Sequence, residues 1–92
     1  MVLRNTVIRQ IRKREGFNVK IKRDGRGVHP NTTLPGYPFE RALRGVKSVA
    51  QWKEDRFFKC YPGYDLDVLN AQGKVAQGKT KLSTVRDTYL ED

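Results

Sequence analysis

The chain has 92 residues, enough for one small domain with a modest hydrophobic core. Hydrophobic residues make up 37% of it, with one Trp, four Tyr and four Phe, and this composition excludes a wholly disordered chain. The formal net charge is +9, which makes a polyanion the expected kind of partner.

The positive charge is concentrated in the first half of the chain. Residues 1 to 46 hold eleven Lys and Arg against three acids, a net charge of +8, whereas residues 47 to 92 hold eight against seven. Residues 8 to 26, IRQIRKREGFNVKIKRDGR, contain eight of these cations, with apolar residues between them at regular intervals. We therefore interpret this segment as folded structure that displays its charge, not as a disordered tail.

Cysteine content and hydropathy exclude further classes. Cys60 is the single cysteine, so an internal disulfide is excluded and a reducing, cytoplasmic setting is favoured. No apolar run approaches the length of about 18 residues that a membrane-spanning helix needs. We expect no membrane segment, no metal and no cofactor.

The first elements are predicted from a change of hydrophobic period. Apolar residues at helical spacing predict a helix over about residues 3 to 14, which ends at Gly16. The period then becomes two over residues 17 to 22, which predicts a half-buried strand. Asp24-Gly25 is a typical hairpin turn, so a short second strand is expected to follow it.

The middle of the chain begins with a proline-rich connector. Residues 29 to 38 contain three of the four prolines and predict a loop, and residues 38 to 45 predict one or two helical turns. Ser48 and Gln51 have capping-box spacing, so a second long helix is predicted over residues 49 to 61.

The last part of the chain returns to strand periodicity. After Pro62-Gly63, residues 64 to 68 alternate between apolar and polar, which predicts a strand. A turn is expected at residues 70 to 73, with a return strand at 74 to 77. Residues 82 to 90 fit either a short helix or a strand.

These elements predict one α+β domain over residues 1 to 92. Its antiparallel sheet has about four strands, with two main helices on one face. Both halves of the chain have the order helix, Gly, strand, turn. We therefore raise the hypothesis that residues 1 to 37 and 48 to 82 are a duplicated helix-strand-strand unit joined at the connector.

One motif resembles a nucleotide-binding loop. GKVAQGKT, Gly73 to Thr80, satisfies G-x-x-x-x-G-K-[ST], whose backbone amides cradle phosphates in P-loop proteins. That loop also needs a parallel sheet and a later acid that holds magnesium, and only twelve residues follow Thr80. We interpret Gly73 as a hairpin-turn residue and expect no nucleotide site.

His29 is the single histidine and raises an enzymatic alternative. The segment IRKREGFNV followed by one His shares an outline with small basic interferase toxins of double-stranded-RNA-binding-like fold. His29 stands later after Phe17 than in that outline, and no small-residue pair directly precedes it, so we do not assign the chain to the family. An RNase-like toxin that uses His29 is our third functional hypothesis, and a solvated loop histidine is the alternative.

Trp52 and Arg56 lie one turn apart in the second predicted helix. We interpret Trp52 as a core residue whose ring Arg56 covers. The alternative is that Trp52 and Arg56 stack on a nucleobase, as in proteins that bind single strands.

The first functional hypothesis is a small nucleic-acid-binding protein that contacts the phosphate backbone of DNA or RNA with low sequence specificity. The predicted contacts come from one helix face, one strand face and one hairpin tip. They are Arg9, Arg12, Lys13, Lys20, Lys22, Arg23 and Arg26. No catalytic residue is assigned, and the chain is not expected to be an enzyme.

Two alternatives remain beside this hypothesis. If the strands at 17 to 22 and 64 to 68 pair, Asp65 and Asp67 offset Lys20 and Lys22, and part of the charge is structural. The second functional hypothesis is a protein-interaction module of phage, plasmid or toxin-antitoxin type, whose basic face docks an acidic partner. The sequence leaves the oligomeric state open.

Overall fold

Helices cover one face of a three-stranded antiparallel sheet in the computed structural model, which describes residues 1–90; residues 91 and 92 lie outside it. The sheet has the strand order β3-β2-β5, and β1 and β4 form a separate antiparallel pair. The elements in chain order are β1 (Val2–Leu3), α1 (Arg4–Glu15), β2 (Asn18–Arg23), β3 (Arg26–Gly27), β4 (Thr33–Leu34), α2 (Val49–Trp52), a π-helical segment (Lys53–Phe57), α3 (Phe58–Cys60), β5 (Asp65–Leu69) and α4 (Leu82–Thr88).

The predicted α+β class is confirmed. The strands are divided between sheets of two and three strands, instead of about four in one sheet. Both predicted units contain a helix, a glycine of positive φ and a strand, and the strands of the two units pair with each other. The duplication itself stays a hypothesis.

α1 forms where the sequence predicts it. Val7 and Ile11 are completely buried on one side of the helix, against the sheet. The helix ends at Gly16, whose φ of 90° lies in the left-handed region and whose N–H donates to Arg12 O at 3.0 Å. The last turn carries only basic side chains besides Glu15, which suits the negative end of the helix dipole.

The pairing of β2 with β5 sets the two faces of the sheet. Val19 lies opposite Val68 and faces the core, whereas Lys20 lies opposite Asp67 and faces solvent. β2 turns back into β3 at Asp24 and Gly25, which both have positive φ, as the predicted Asp-Gly turn requires.

The second long helix contains a π-helical turn. Ser48 and Gln51 form the predicted capping box at its start. The Phe58 N–H donates to Lys53 O, five residues back, and this wider turn places both Trp52 and Phe57 in the core with ring centroids 6.2 Å apart. Lys53, which interrupts the apolar stripe in the sequence, is therefore accommodated without breaking the helix.

Two local predictions are wrong. Residues 38 to 45 form no helix, because side chains from elsewhere bind their backbone: Leu43 N–H donates to Glu15 Oε1 at 2.9 Å, and Arg56 Nη1 donates to Arg41 O at 2.5 Å. The return strand at 74 to 77 is reduced to one bridge between Leu69 and Val75. The ambiguous C-terminal segment is helical as α4.

Candidate functional site

Three of the predicted cations lie together on the outward face of α1. Arg9, Arg12 and Lys13 are exposed, on the side of the helix opposite Val7 and Ile11. None of the three forms an ion pair with any residue in the range 1–90. We call these three residues the α1 face.

The strand cations point the other way. Lys20 and Lys22 alternate with buried Val19 and Ile21, so they lie on the sheet face opposite the helices. Lys22 Nζ lies 3.0 Å from Asp67 Oδ2, an ion pair of the kind that the alternative interpretation predicted. The predicted cations of α1 and of β2 thus lie on opposite faces of the domain and do not form a single basic face.

The β2–β3 hairpin tip carries the remaining two predicted cations. Arg23 and Arg26 are exposed and lie directly opposite each other, on either side of Asp24 and Gly25. The Arg23 guanidinium also lies over the Tyr64 ring, 5.4 Å from its centroid. The tip is a charged projection at the end of the sheet.

Trp52 is a core residue, as we interpret it from the sequence, and its buried ring is not available to the alternative of stacking on a nucleobase. Trp52 is completely buried, packs edge-on against Phe17 with centroids 5.1 Å apart, and donates its Nε1–H to Tyr37 OH at 3.2 Å. The Arg56 guanidinium lies over Phe39, not over Trp52, at 4.4 Å from the ring centroid. Both side chains therefore contribute to packing within the domain.

A buried carboxylate that the sequence analysis missed organises this part of the core. Glu15 is 1% exposed. Its Oε2 lies 2.6 Å from Arg56 Nη1 and accepts from Tyr37 OH, and its Oε1 accepts from Arg86 Nη2 at 3.1 Å and from Leu43 N at 2.9 Å. One acid therefore ties α1 to the second helix, to α4 and to the connector.

Burial and contacts within this cluster shift the pKa values of Tyr37 and Arg56. Burial, and then the hydrogen bond to Glu15, raises the pKa of Tyr37 well above its usual value. Burial by itself lowers the pKa of Arg56, but contacts with Tyr37 and Glu15 outweigh burial and raise it. Neither group changes charge near neutral pH, so the cluster is a structural clamp.

The sequence does contain a trace of this clamp. Val7, Ile11 and Glu15 are spaced by four residues, so Glu15 continues the apolar stripe of α1 into the core. An acid at such a position needs a cationic partner, which sequence spacing alone does not identify.

His29 has a local structural role. It is exposed, and its Nδ1 accepts from Asn31 N at 3.0 Å while its carbonyl accepts from Thr32 N at 2.9 Å. Nδ1 is therefore occupied in a turn. Residues 1–90 contain no group of three or more His, Cys, Asp or Glu side chains placed to hold a metal ion.

The GKVAQGKT segment presents carbonyls where a phosphate loop presents amides. Gly78 O accepts from Ala50 N at 3.0 Å, and Thr80 O accepts from Val49 N at 2.8 Å. These two carbonyls satisfy the first free N–H groups of α2. The segment is thus a cap for another helix, and Gly73 has the positive φ of a turn residue, as we interpret it from the sequence.

Reciprocal bonds cap α4. Leu82 N donates to Lys47 O at 2.8 Å, and Ser83 N donates to Gly45 O at 3.0 Å. The two loops, residues 44–48 and 78–81, are thereby joined side by side, and we call them the loop junction. Exposed cations outside the predicted set lie here and just before it: Arg41, Arg44, Lys79 and Lys81.

Three half-buried aromatic rings offer little surface for stacking, because an arginine guanidinium covers each of them. The centroid distances are 4.6, 5.4 and 4.4 Å. The pairs are Arg12 with Tyr89, Arg23 with Tyr64, and Arg56 with Phe39.

No helix within residues 1–90 is both long and apolar enough to cross a membrane. Comparison of the chain with protein-family models, curated proteins and solved structures finds no match.

Proposed function

We propose that the protein binds the phosphate backbone of nucleic acid through the α1 face, with low sequence specificity. The observation that carries the proposal is the exposure of Arg9, Arg12 and Lys13 on one side of a helix without an ion pair inside the range 1–90. Cations held this close together raise the local concentration of a polyanion.

The spacing of these cations suits a phosphate backbone. Arg9 and Lys13 are separated by about 6 Å along the helix axis, at roughly 1.5 Å per residue. Phosphates of one duplex strand recur about every 3.4 Å along its axis, so cations at this separation can reach neighbouring phosphates of the same strand. Glu15 fixes the end of the helix through its buried contacts, which keeps the α1 face in one orientation.

The positions of the aromatic residues favour contact with the nucleic-acid backbone over recognition of bases. Trp52 is completely buried, and arginines cover three half-buried rings, so these rings do not offer a free face to an unstacked base. Contacts from Lys and Arg to phosphate position a duplex without reading its sequence.

The other predicted cations take secondary roles in this proposal. Lys22 is neutralised by Asp67, and Lys20 lies on the face away from α1, so neither would touch a strand bound to the α1 face. Arg23 and Arg26 at the hairpin tip project beyond the sheet and stay candidates for an outlying contact. The proposed setting is the cytoplasm, on the ground of the single cysteine.

The test is a salt titration of binding, read by fluorescence anisotropy with labelled duplex and single-stranded DNA and RNA. The logarithm of the binding constant is plotted against the logarithm of the salt concentration. On duplex DNA, three phosphate contacts give a slope of about −2.7, and six contacts give about −5. With the smaller slope, affinity falls roughly 40-fold between 50 and 200 mM salt. A wild-type slope near zero contradicts the proposal.

Two variants locate the interaction. Arg9→Gln/Lys13→Gln removes two cations from the α1 face and is expected to reduce the slope by about 1.8. Arg12 is kept in this variant because it packs on Tyr89. Lys20→Gln/Lys59→Gln removes two exposed cations that lie neither on the α1 face nor at its C-terminal end, and is the charge-matched control, expected to keep the wild-type slope.

The same samples test the two other hypotheses. Binding to one acidic protein, without affinity for heparin or random DNA, would favour the protein-interaction module. Cleavage of the labelled RNA that disappears in His29→Ala would favour the RNase-like toxin.

A further inference from the structure

A second cationic surface surrounds the loop junction. An isolated antiparallel bridge joins Ser48 to Lys81, and four backbone hydrogen bonds of 2.8 to 3.0 Å hold the loops on either side of it. These bonds also cap α2 and α4, so the loops are fixed by two helices.

The chain around the junction contains cations and no acids. Residues 41–53 and 68–86 each hold four Lys or Arg and no Asp or Glu. Two of these eight, Lys53 and Arg86, form ion pairs with acids from other segments. At the junction itself Arg44, Lys79 and Lys81 are exposed, and within residues 1–90 they form no ion pair.

The junction borders the end of α1. Leu43 N donates to Glu15 Oε1 at 2.9 Å, and Arg86 Nε donates to Glu15 O at 2.5 Å. Leu43 immediately precedes the first junction loop, and Arg86 lies in α4, which the second loop begins. The C-terminal end of α1 thus contacts one residue next to each arm of the junction: Leu43 beside the first arm, and Arg86 in the helix that follows the second.

We infer that the loop junction continues the phosphate-binding surface of α1, so that a duplex backbone runs from the α1 face across the end of the helix to Lys79 and Lys81. This inference rests on the proposed function. It adds the kind of partner, a duplex, and an upper limit on the length that is contacted: the longest dimension of the domain is 32 Å, which corresponds to roughly 9 base pairs at about 3.4 Å each.

The test compares three variants that each remove two positive charges, with a 16-base-pair duplex in the anisotropy titration. They are Lys79→Gln/Lys81→Gln at the junction, Arg9→Gln/Lys13→Gln on the α1 face, and the control Lys20→Gln/Lys59→Gln. Loss of two phosphate contacts reduces the salt slope by about 1.8 and the affinity roughly 60-fold at 0.1 M salt. The control is expected to change the affinity by less than about 3-fold.

The outcomes separate this inference from the proposed function. The junction variant should lose affinity about as strongly as the α1 variant, while thermal unfolding shows that both remain folded. If the junction variant behaves like the control and the α1 variant loses affinity, the inference is overturned and the proposed function stands. If the wild-type protein shows no salt-dependent binding, both are overturned.

Discussion

Glu15→Gln is the substitution that most directly tests how the fold is held together. The Gln side chain has the same shape but no charge, so the guanidinium groups of Arg56 and Arg86 lose their shared carboxylate. Tyr37 OH and Leu43 N also bind this carboxylate, and only one amide oxygen would remain to accept from all four groups.

The expected loss of stability follows from the burial of the partners. The side chain of Glu15 is 0% exposed, and those of Arg56 and Arg86 are 15% and 22% exposed. Removal of one partner from a buried ion pair costs about 3 to 5 kcal/mol. Because both arginines keep some access to water, we expect Glu15→Gln to lower the free energy of unfolding by about 3 kcal/mol. In a domain of this size, this loss lowers Tm by roughly 12 to 24 °C.

The measurement is urea unfolding of wild type and variant, followed by circular dichroism and by Trp52 fluorescence, with a thermal scan. Lys22→Gln is the control, because its ion pair with Asp67 has a similar length of 3.0 Å but side chains 25% and 24% exposed. That pair should contribute about 0 to 1 kcal/mol. If Glu15→Gln changes the free energy of unfolding no more than Lys22→Gln does, the clamp is not a determinant of stability.

Three further predictions concern the rest of the fold. Tyr89→Phe should cost about 1 to 2 kcal/mol in urea unfolding, because its hydroxyl accepts from Asn18 N and donates to Leu69 O at the end of the β2–β5 pair. Gly45→Ala should cost about 1 to 3 kcal/mol, because its new Cβ would lie 2.9 Å from Ser83 Cβ; no change in Tm would contradict the tight junction. Burial raises the pKa of Cys60, so its thiolate fraction at pH 8 is reduced, and iodoacetamide should alkylate it more slowly in the native than in the unfolded protein.

The elements that the sequence predicts well are those whose determinants are local. α1 has an apolar stripe and a glycine end cap, β2 has strict alternation, and the second helix has a capping box at Ser48 and Gln51. Each determinant lies within a few residues of the element that it specifies. The observed boundaries of α1 and β2 accordingly agree with the predicted ones to within one residue.

The elements that the sequence does not predict depend on distant partners. Residues 38 to 45 have helical composition, but Glu15 and Arg56 bind their backbone groups and hold them in an irregular path. The π-helical turn follows from the need to bury both Trp52 and Phe57, which depends on the core beneath them. Neither the irregular path of residues 38 to 45 nor the π-helical turn can therefore be predicted from local helix propensity.

The candidate site shows the same division. Helical periodicity correctly places Arg9, Arg12 and Lys13 on one exposed side of α1. It cannot show that Lys22 pairs with Asp67, or that Arg56 is directed to Glu15, because those acids come from other elements. Net charges summed over each half of the chain also hide the stretches without acids at residues 41–53 and 68–86. Net charges summed over shorter segments would reveal them.

The distribution of acids explains where the surplus positive charge lies. Ion pairs within residues 1–90 use only three acids: Glu15 lies in the core, and Asp65 and Asp67 lie in β5. The single acid of α1 is therefore directed inward, and its outward face keeps every cation unneutralised by the helix itself. The loop junction likewise has no acid in its own segments, whereas the outward sheet face pairs Lys22 with Asp67 and places Lys20 opposite the same acid.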